Sequence, residues 1–344
     1  MVKISWIVLL LFCAVACPMR GWAEEETAAQ APAQPAPDAE EGDEASPAED
    51  EGSPGDAAKY DLKYQFTPGE VLRTEIVHRA TVQTTIQGTS QTAETQSTSI
   101  KAWQIHDVDA DGNVTFVHMV ESIDMWQRAQ GRKDIRYNSA TDKEVPPGYE
   151  EVAQAVGVPL TTVTMDPRGK ILKRQEKRQQ PTSMSTQMTM PLPEHPIAIG
   201  ETWSSPVEIE VVLQDGSTKK IQTRQVFSLE KVVEDLATIA IDSQILTPIH
   251  DPAIEAQLIQ RLSSGSVRFD LKAGRVMGQQ LDLDRHVVGF SGAASSMHYL
   301  TRFTEKLLPA APQTVHGKLP RAAPIEKASP PDGSAEKRKS RLRR

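Results

Sequence analysis

Two stretches of the chain share the same succession of apolar and polar positions. In each, a Gly-Glu turn opens a run of alternating apolar residues, a hairpin follows, and a short helix precedes a second hairpin. The order occurs between Tyr60 and Arg178 and again between Pro193 and Leu308. A period of two is typical of a strand with one buried face. The pattern therefore predicts a mainly β fold with short helices.

The repetition suggests two tandem copies of a curved antiparallel sheet plus a helix. These copies form either one continuous sheet or a pair of half-barrels. The turn at Gly200-Glu201 corresponds to the one at Gly69-Glu70, and Asp251-Pro252 begins a helix where Tyr149–Val156 stood in the first copy. The alternative is two unrelated β-rich segments that use the same common turns.

Alternation also predicts which side chains are buried. The first copy begins with four apolar residues separated by polar ones, so we expect these four to be buried: Tyr60, Leu62, Tyr64 and Phe66. Near the end of the second copy, Val267 and Phe269 should be buried and Arg268 and Asp270 exposed. Between these regions we expect a strand over 71–87, a polar crossing up to Ser97, and a strand ending near His106.

Composition divides the remainder of the chain. Residues 24–58 contain twelve acidic and no basic residues, whereas residues 309–344 are rich in Pro, Ala, Lys and Arg. Neither stretch has enough apolar residues to offset its ordering entropy, so both are predicted to be disordered. The predicted organisation is a signal peptide at 1–23, an acidic linker at 24–58, copy one at 59–178, a linker at 179–192, copy two at 193–308, and a basic tail at 309–344.

The first 23 residues are typical of a secretory signal. Lys3 precedes the apolar run Ile4–Ala16, and Gly21 and Ala23 provide small residues at the cleavage subsites. The run is shorter than the roughly 20 residues that span a bilayer. We expect a periplasmic or extracellular protein without a transmembrane span after cleavage. A retained N-terminal anchor is the alternative.

A lipoprotein signal is a second alternative for the same segment. Ala14–Cys17 is similar to a lipobox, in which the cysteine is acylated, although the usual Leu is absent and Pro follows the Cys. Both cysteines of the chain, Cys13 and Cys17, lie in this segment. Cleavage after Ala23 would leave no cysteine, and hence no disulfide, thiol catalysis or Cys-bound metal.

The motifs with potential chemistry are each better explained by structure. Asp107–Gly112 matches the first half of a calcium loop, but His118 stands at the twelfth position, where a bidentate Glu is required. A hairpin turn accounts for the same residues. Asn113 begins a glycosylation sequon, but it directly precedes a predicted strand in a chain whose signal looks bacterial.

Two histidine-containing groups could bind a metal. A Cu(I) site could use thioethers and imidazole from one irregular segment, namely Met184, Met188, Met190 and His195. His106 and His118 flank one hairpin, but the predicted pairing places His106 opposite Thr115. No third ligand is evident, so we assign no metal site, no cofactor site and no catalytic residue.

The charge distribution excludes some partners. The net charge of −8 arises mostly from the tails, and no basic face predicts binding to nucleic acid. The basic end 337–344 could contact anionic polymers, lipid headgroups or the acidic linker. No local nucleophile, phosphate-loop or zinc motif is present, which favours a protein that is not an enzyme.

The order of these motifs resembles that of exported bacterial proteins with a β-rich domain of unknown function. The resemblance covers about Tyr60 to Leu308 and rests on the Tyr60–Glu70 opening, the Met165–Ile171 hairpin, the Gly200–Trp203 turn and the closing Phe269–Val276 segment. It implies export and a β-rich core, and carries no catalytic residues. A helix against a curved sheet is also similar, at the level of fold, to the half-barrels of periplasmic lipid carriers.

Three functions are compatible with the sequence. The first is a non-enzymatic interaction or structural protein of the cell envelope, with the tails as tethers. The second is a binding module for a hydrophobic ligand or envelope lipid. The third is a hydrolase whose triad is assembled from distant residues. An envelope lipid or an envelope protein is the partner that these alternatives imply.

Overall fold

The computed structural model describes residues 58–177, 189–213 and 215–310. The predicted signal, most of the acidic linker, most of the inter-copy linker and nearly all of the basic tail lie outside these residues. The described part is mainly β with two short helices, as predicted, and its strands form a large curved antiparallel sheet.

The strands and helices are numbered here in chain order. The strands are β1 (Lys59–Tyr60), β2 (Val71–Ile86), β3 (Thr89–Val108), β4 (Val114–Ala129), β5 (Ile135–Asn138), β6 (Pro159–Met165), β7 (Ile171–Glu176), β8 (Ile197–Ala198), β9 (Thr202–Val212), β10 (Thr218–Val233), β11 (Leu236–Ile245), β12 (Ser264–Asp270), β13 (Arg275–Val288) and β14 (Ser295–Leu307). The helices are α1 (Glu150–Ala155) and α2 (Pro252–Leu258), and α2 continues into a 3-10 turn at Ile259–Arg261.

Twelve strands form one continuous sheet. Its order is β7-β6-β4-β3-β2-β14-β13-β12-β11-β10-β9, with β5 paired to β4 beside this path and β1 paired separately with β8. Every neighbouring pair is antiparallel. The last described strand, β14, falls within the second copy and pairs with β2 of the first, so it joins the two groups of strands.

The two groups share their topology and their opening turn. Each group contains three long strands, a helix and a further hairpin, and these five strands follow the same order in the sheet; the short β5 precedes the helix only in the first group, and β14 follows the hairpin only in the second. The Gly69 N–H donates to the carbonyl of Ile105 at 2.9 Å, and the Gly200 N–H donates to that of Leu229 at 2.8 Å. In both turns the following Glu accepts a backbone N–H from the residue three positions before it.

Irregularities of the ladders also recur at matching places. A register shift follows Ile105 in β3 and Leu229 in β10, the two residues that bond to the turn glycines. Another lies between Thr164 and Met165 in β6 and between Arg268 and Phe269 in β12. Common turns alone would not place bulges at matching residues. The match favours the interpretation of two copies, and duplication of an ancestral unit stays a prediction.

The predicted polar crossing up to Ser97 is wrong. The chain reverses at Gln87 and Gly88, which have φ values of 50° and 78°, and β3 begins directly at Thr89. Two consecutive residues with positive φ are the geometry of a tight hairpin turn. The segment is polar because both faces of the hairpin are partly exposed here. It therefore lacks the alternating apolar residues by which a strand is recognised in a sequence.

The predicted burial of the opening segment is largely confirmed. Leu62 is fully buried and Tyr64 nearly so, Tyr60 and Phe66 are partly buried, and the intervening residues are exposed. However, only Lys59 and Tyr60 are in a strand. The remainder crosses two hairpin turns and donates the Tyr64 N–H to Pro167 and the Gln65 N–H to Gly274.

Both predicted helices are present and cover the sheet. The Asp251 carboxylate accepts the Ala253 N–H at 2.8 Å, which caps α2 as its sequence predicts. Ile254 and Leu258 of α2 pack against β9 and β10, whereas Ala256 and Ile259 pack against β13 and β14. Helix α2 therefore bridges separate strands of the curved sheet.

Candidate functional site

A cavity of about 240 Å³ lies on one face of the sheet and is open to solvent. It is lined from both groups of strands, by Leu72 and Trp103 on one side and Phe227 and Ile241 on the other. Three strands, β14, β13 and β12, separate these residues along the sheet. The sheet must therefore curve around the cavity, and we call this lined side the inner face.

The walls of the cavity are rich in aromatic side chains. Aromatic residues are 5% of the chain, yet five of them line this one cavity: Tyr64, Phe66, Trp103, Phe227 and Phe303. The Trp103 ring stacks on Phe116 with centroids 4.4 Å apart, and the Phe227 ring stacks on Trp203 at 5.4 Å. Rings fixed in this way form a rigid apolar surface.

Chain segments outside the sheet also line the cavity. Tyr64 and Met190 are among them, and the Tyr64 hydroxyl donates to the Met190 carbonyl at 3.1 Å. Burial raises the pKa of the Tyr64 hydroxyl, which therefore stays protonated. Gln260 and Ser263, just after α2, line the cavity as well. Both the opening segment and the end of the predicted inter-copy linker thus contribute to the site.

An ion pair fixes the opening turn beside the cavity. Arg275 lines the cavity and donates to the Glu70 carboxylate at 3.1 Å, and both side chains are about one-fifth exposed. The two residues belong to different copies. This contact therefore balances the charge of Arg275 and holds the first turn of copy one against the last hairpin of copy two.

His78 contributes a hydrogen-bond acceptor to the cavity wall. The Thr301 hydroxyl donates to the Arg79 carbonyl at 2.8 Å and lies 2.9 Å from Nε2 of His78. A hydroxyl has one hydrogen, so Nε2 must donate to Thr301 for both bonds to form. This assigns the proton to Nε2 and leaves Nδ1 as the acceptor. Burial lowers the pKa of His78, which keeps the ring neutral.

Glu305 is the acidic residue of the cavity lining. The Gln279 amide donates a hydrogen bond to its carboxylate. Lys101 lies on the same face, opposite Thr74. Burial lowers the pKa of Lys101, and the nearby Glu305 carboxylate partly opposes this by raising it. The Glu305 carboxylate therefore favours the protonated form of the buried Lys101 amine.

His118 is buried on the same face without a partner for one of its nitrogens. It is 2% exposed, it pairs across the ladder with Trp103, and its Nδ1 has no hydrogen-bond partner. Burial, with smaller effects from Lys101 and Arg174, lowers the pKa of His118 to about 3. The imidazole is therefore neutral at pH 7.

Acid should destabilise the fold through His118. The folded-state pKa is about 3 and the unfolded one about 6.5, so the unfolded chain binds the extra proton between these values. The resulting loss of stability begins below pH 6.5 and is about 2 kcal/mol between pH 7 and 5. Urea unfolding of the wild type and His118→Phe at both pH values measures it. Equal pH dependence in the two proteins would contradict this assignment.

The predicted calcium-loop residues form a hairpin turn. The Asp109 carboxylate accepts the backbone N–H groups of Asp111 and Asn113, at 3.0 and 2.9 Å, and the Asn113 side-chain amide at 2.9 Å. These bonds lower the pKa of Asp109, with the Asn113 side chain contributing most. Asn113 directly precedes β4, as the sequence suggested. The carboxylate is thus used to build the turn.

The two histidines that flank this turn do not meet. The bulge in β3 leaves His106 unpaired and exposed, so the predicted pairing with Thr115 is wrong; Asp107 takes that place. Of the irregular methionine segment, Met190 is buried and His195 exposed, whereas Met184 and Met188 lie outside the described residues. Among the residues that the structure describes, no group of three His, Cys, Asp or Glu side chains could hold a metal ion.

Comparisons with known proteins identify no family. No family model and no curated protein matches the chain. Among solved structures, it is similar to DynF from the dynemicin biosynthesis pathway of Micromonospora chersina, with 6% identity, 76% of this chain and 92% of that one covered, and a TM-score of 0.19. A DUF1329 family protein from Desulfovibrio piger also matches, with 10% identity, 66% and 83% coverage, and a TM-score of 0.14. Likenesses this weak carry no argument about function.

Across residues 58–177, 189–213 and 215–310, no helix combines the length and the apolar character that crossing a membrane requires.

Proposed function

We propose that this protein is a non-catalytic binding module that holds an apolar small molecule on its inner face. The cavity between β2, β14 and β13 on one side and β10 and β11 on the other supports this proposal. Small-molecule sites are concave and mostly apolar, with a few polar groups that orient the ligand. The open aromatic cavity favours the binding module over the envelope scaffold.

The volume limits the part of the ligand that is enclosed. A cavity of about 150 Å³ holds one benzene molecule. By the same measure, about 240 Å³ accommodates roughly ten carbon atoms. Because the cavity is open to solvent, a longer molecule can extend out of it. A single acyl or prenyl chain segment, or a small fused ring system, has the required size.

The location of this binding is part of the proposal. We propose that residues 1–23 direct export and that the ligand is bound in the periplasm or outside the cell, with an envelope lipid as the natural candidate. Mass spectrometry of the N-terminus of protein from the native host tests export. A chain that begins near Glu24 supports soluble export, an acylated Cys17 supports a lipoprotein, and an intact Met1 in the cytoplasm rejects both.

Filling the cavity should abolish binding. Thr74 lines the cavity from β2, and Thr81 lies on the opposite face of the same strand, where its partner Leu300 is exposed. Thr74→Trp should weaken binding of N-phenyl-1-naphthylamine at least about tenfold, since the indole occupies space that the dye requires. Thr81→Trp should bind the dye as the wild type does.

Fluorescence titration of the full chain measures both affinities, and thermal melts verify that both variants are folded. Native mass spectrometry of the purified wild type then shows whether an apolar molecule accompanies it. Absence of dye binding to the folded wild type, or equal binding by the two variants, would reject the proposal.

A further inference from the structure

Three polar side chains of the cavity lining, on neighbouring strands, can accept hydrogen bonds. His78 presents an unprotonated Nδ1, because its Nε2 proton is used on Thr301. Glu305 presents a carboxylate, and Gln279 donates one of its two amide hydrogens to that carboxylate, while its side-chain carbonyl can accept a hydrogen bond. These three residues stand on the adjacent strands β2, β14 and β13, beside Phe303 of the aromatic lining.

Their position within the strands is informative. His78 stands on the inner face of β2 in line with the buried Ile76 and Ala80, and Glu305 stands between Phe303 and Leu307 on β14. Polar side chains in the middle of an apolar face cost desolvation energy unless something bonds to them. Gln279 and Thr301 satisfy only part of their capacity. A ligand that donates hydrogen bonds would satisfy the rest.

The charged residues in and beside the cavity indicate which polar group of a ligand can bind there. Glu305 and Arg275 are the charged residues of the lining, and each is influenced by an opposite charge, Lys101 and Glu70 respectively. The cavity therefore has no net charge that would attract an ionic ligand. A carboxylate brought beside Glu305 would add a second buried anion with no new cation. An ammonium group would be repelled by the positive charge of Lys101 and would lose its hydration on entering the cavity. A hydroxyl group can donate a hydrogen bond to the acceptors of the wall, and it adds no charge to the cavity. It therefore fits better than a carboxylate or an ammonium group.

We infer that the ligand is a neutral apolar alcohol, whose hydroxyl group donates to His78 or Glu305 while its hydrocarbon part lies against Phe227, Trp103 and the other aromatic walls. This inference rests on the proposed function and specifies its ligand class. Long-chain alcohols, polyprenols and hydroxylated ring systems belong to this class. Fatty acids and long-chain amines do not.

Three molecules with the same chain and different ends test the inference. Decan-1-ol, decanoic acid and decylamine compete with bound N-phenyl-1-naphthylamine on the full chain at pH 8, where the acid is fully ionised and the amine mostly protonated. We expect decanol to displace the dye at a concentration roughly tenfold lower than decanoate or decylammonium requires. Equal potency, or greater potency of either ion, would overturn the inference.

Two variants test whether Glu305 and His78 distinguish the alcohol from the ions. Glu305→Gln removes the negative charge of the cavity wall, so it no longer repels the carboxylate of decanoate. Decanoate should therefore become at least about fivefold more potent, while the potency of decanol changes little. In His78→Phe the ring and its contact with Phe303 are kept but the acceptor is lost, so decanol should weaken about fivefold, the value of one hydrogen bond. Glu75→Gln is the matched control, because Glu75 lies on the opposite face of β2.

The outcomes separate the two proposals. If the dye binds and decanoate is the best competitor, the protein is a binding module but not for alcohols. If the dye binds and none of the three molecules displaces it, the alcohol is likewise rejected. If the folded wild type does not bind the dye at all, the proposed function fails and the ligand class fails with it. If Glu75→Gln changes selectivity as Glu305→Gln does, the assignment of Glu305 is wrong.

Discussion

Replacing Phe269 with Ala is expected to lower the free energy of unfolding by about 3–5 kcal/mol. Phe269 is fully buried in the main core, where its ring meets Tyr64 edge-on with centroids 5.6 Å apart. The variant loses the transfer free energy of the buried ring, and the cavity that remains costs further packing energy because the surrounding core relaxes only partly. For a domain of this size, the melting temperature should fall by roughly 6–20 °C.

The neighbouring residue provides the control for this experiment. Arg268 is exposed on the other face of β12, and Arg268→Ala should cost about 0.5 kcal/mol or less. Thermal and urea melts of the two variants compare adjacent positions of one strand. Similar small changes in both would show that the register of β12 is wrong, and with it the face on which the core lies.

Replacing Gly265 with Ala should be at least as damaging, on the order of 4–5 kcal/mol. A Cβ atom at this position would lie 1.9 Å from the backbone oxygen of Gln280 and 2.9 Å from the Cα of Leu281. Both contacts are with the backbone of β13, which cannot move without breaking the ladder between β12 and β13. The close approach of two strands is what requires glycine here.

Ser266→Ala is the matched change for this position. Ser266 is the next residue of β12 and is exposed, so the substitution should alter stability by about 0.5 kcal/mol or less. Circular dichroism and urea unfolding measure both variants. A Gly265→Ala protein that unfolds at the same urea concentration as Ser266→Ala would contradict the close strand approach.

The parts of the fold that local chemistry determines could be predicted from the sequence. The turns at Gly69 and Gly200 require positive φ, and Asp251 followed by Pro252 is a helix start, so these elements lie where their residues suggest. The alternation around Phe269 identified the buried face. The hairpin at Gln87 was missed, because a polar segment that pairs along its whole length carries no apolar period.

The candidate site could not be predicted in the same way. Its residues come from strands whose neighbours in the sheet are distant in sequence; Glu70 and Arg275 are 205 positions apart. The pairing of β14 with β2 has no local signal. One clue was available: Thr74 and His78 interrupt the apolar positions of β2, and Glu305 interrupts those of β14. A polar residue in line with core residues marks a site once the strands have been identified.

The place of β14 has a consequence for how the protein folds. This strand is the last of the described strands along the chain, yet it pairs with β2 on one side and β13 on the other, in the middle of the sheet. Until it arrives, the first copy exposes an unpaired edge along β2. Folding must then join residues more than 200 positions apart, which is slow and leaves intermediates open to aggregation. Pairing of β14 therefore completes the middle of the sheet, and until then the β2 edge is open to pairing with other chains.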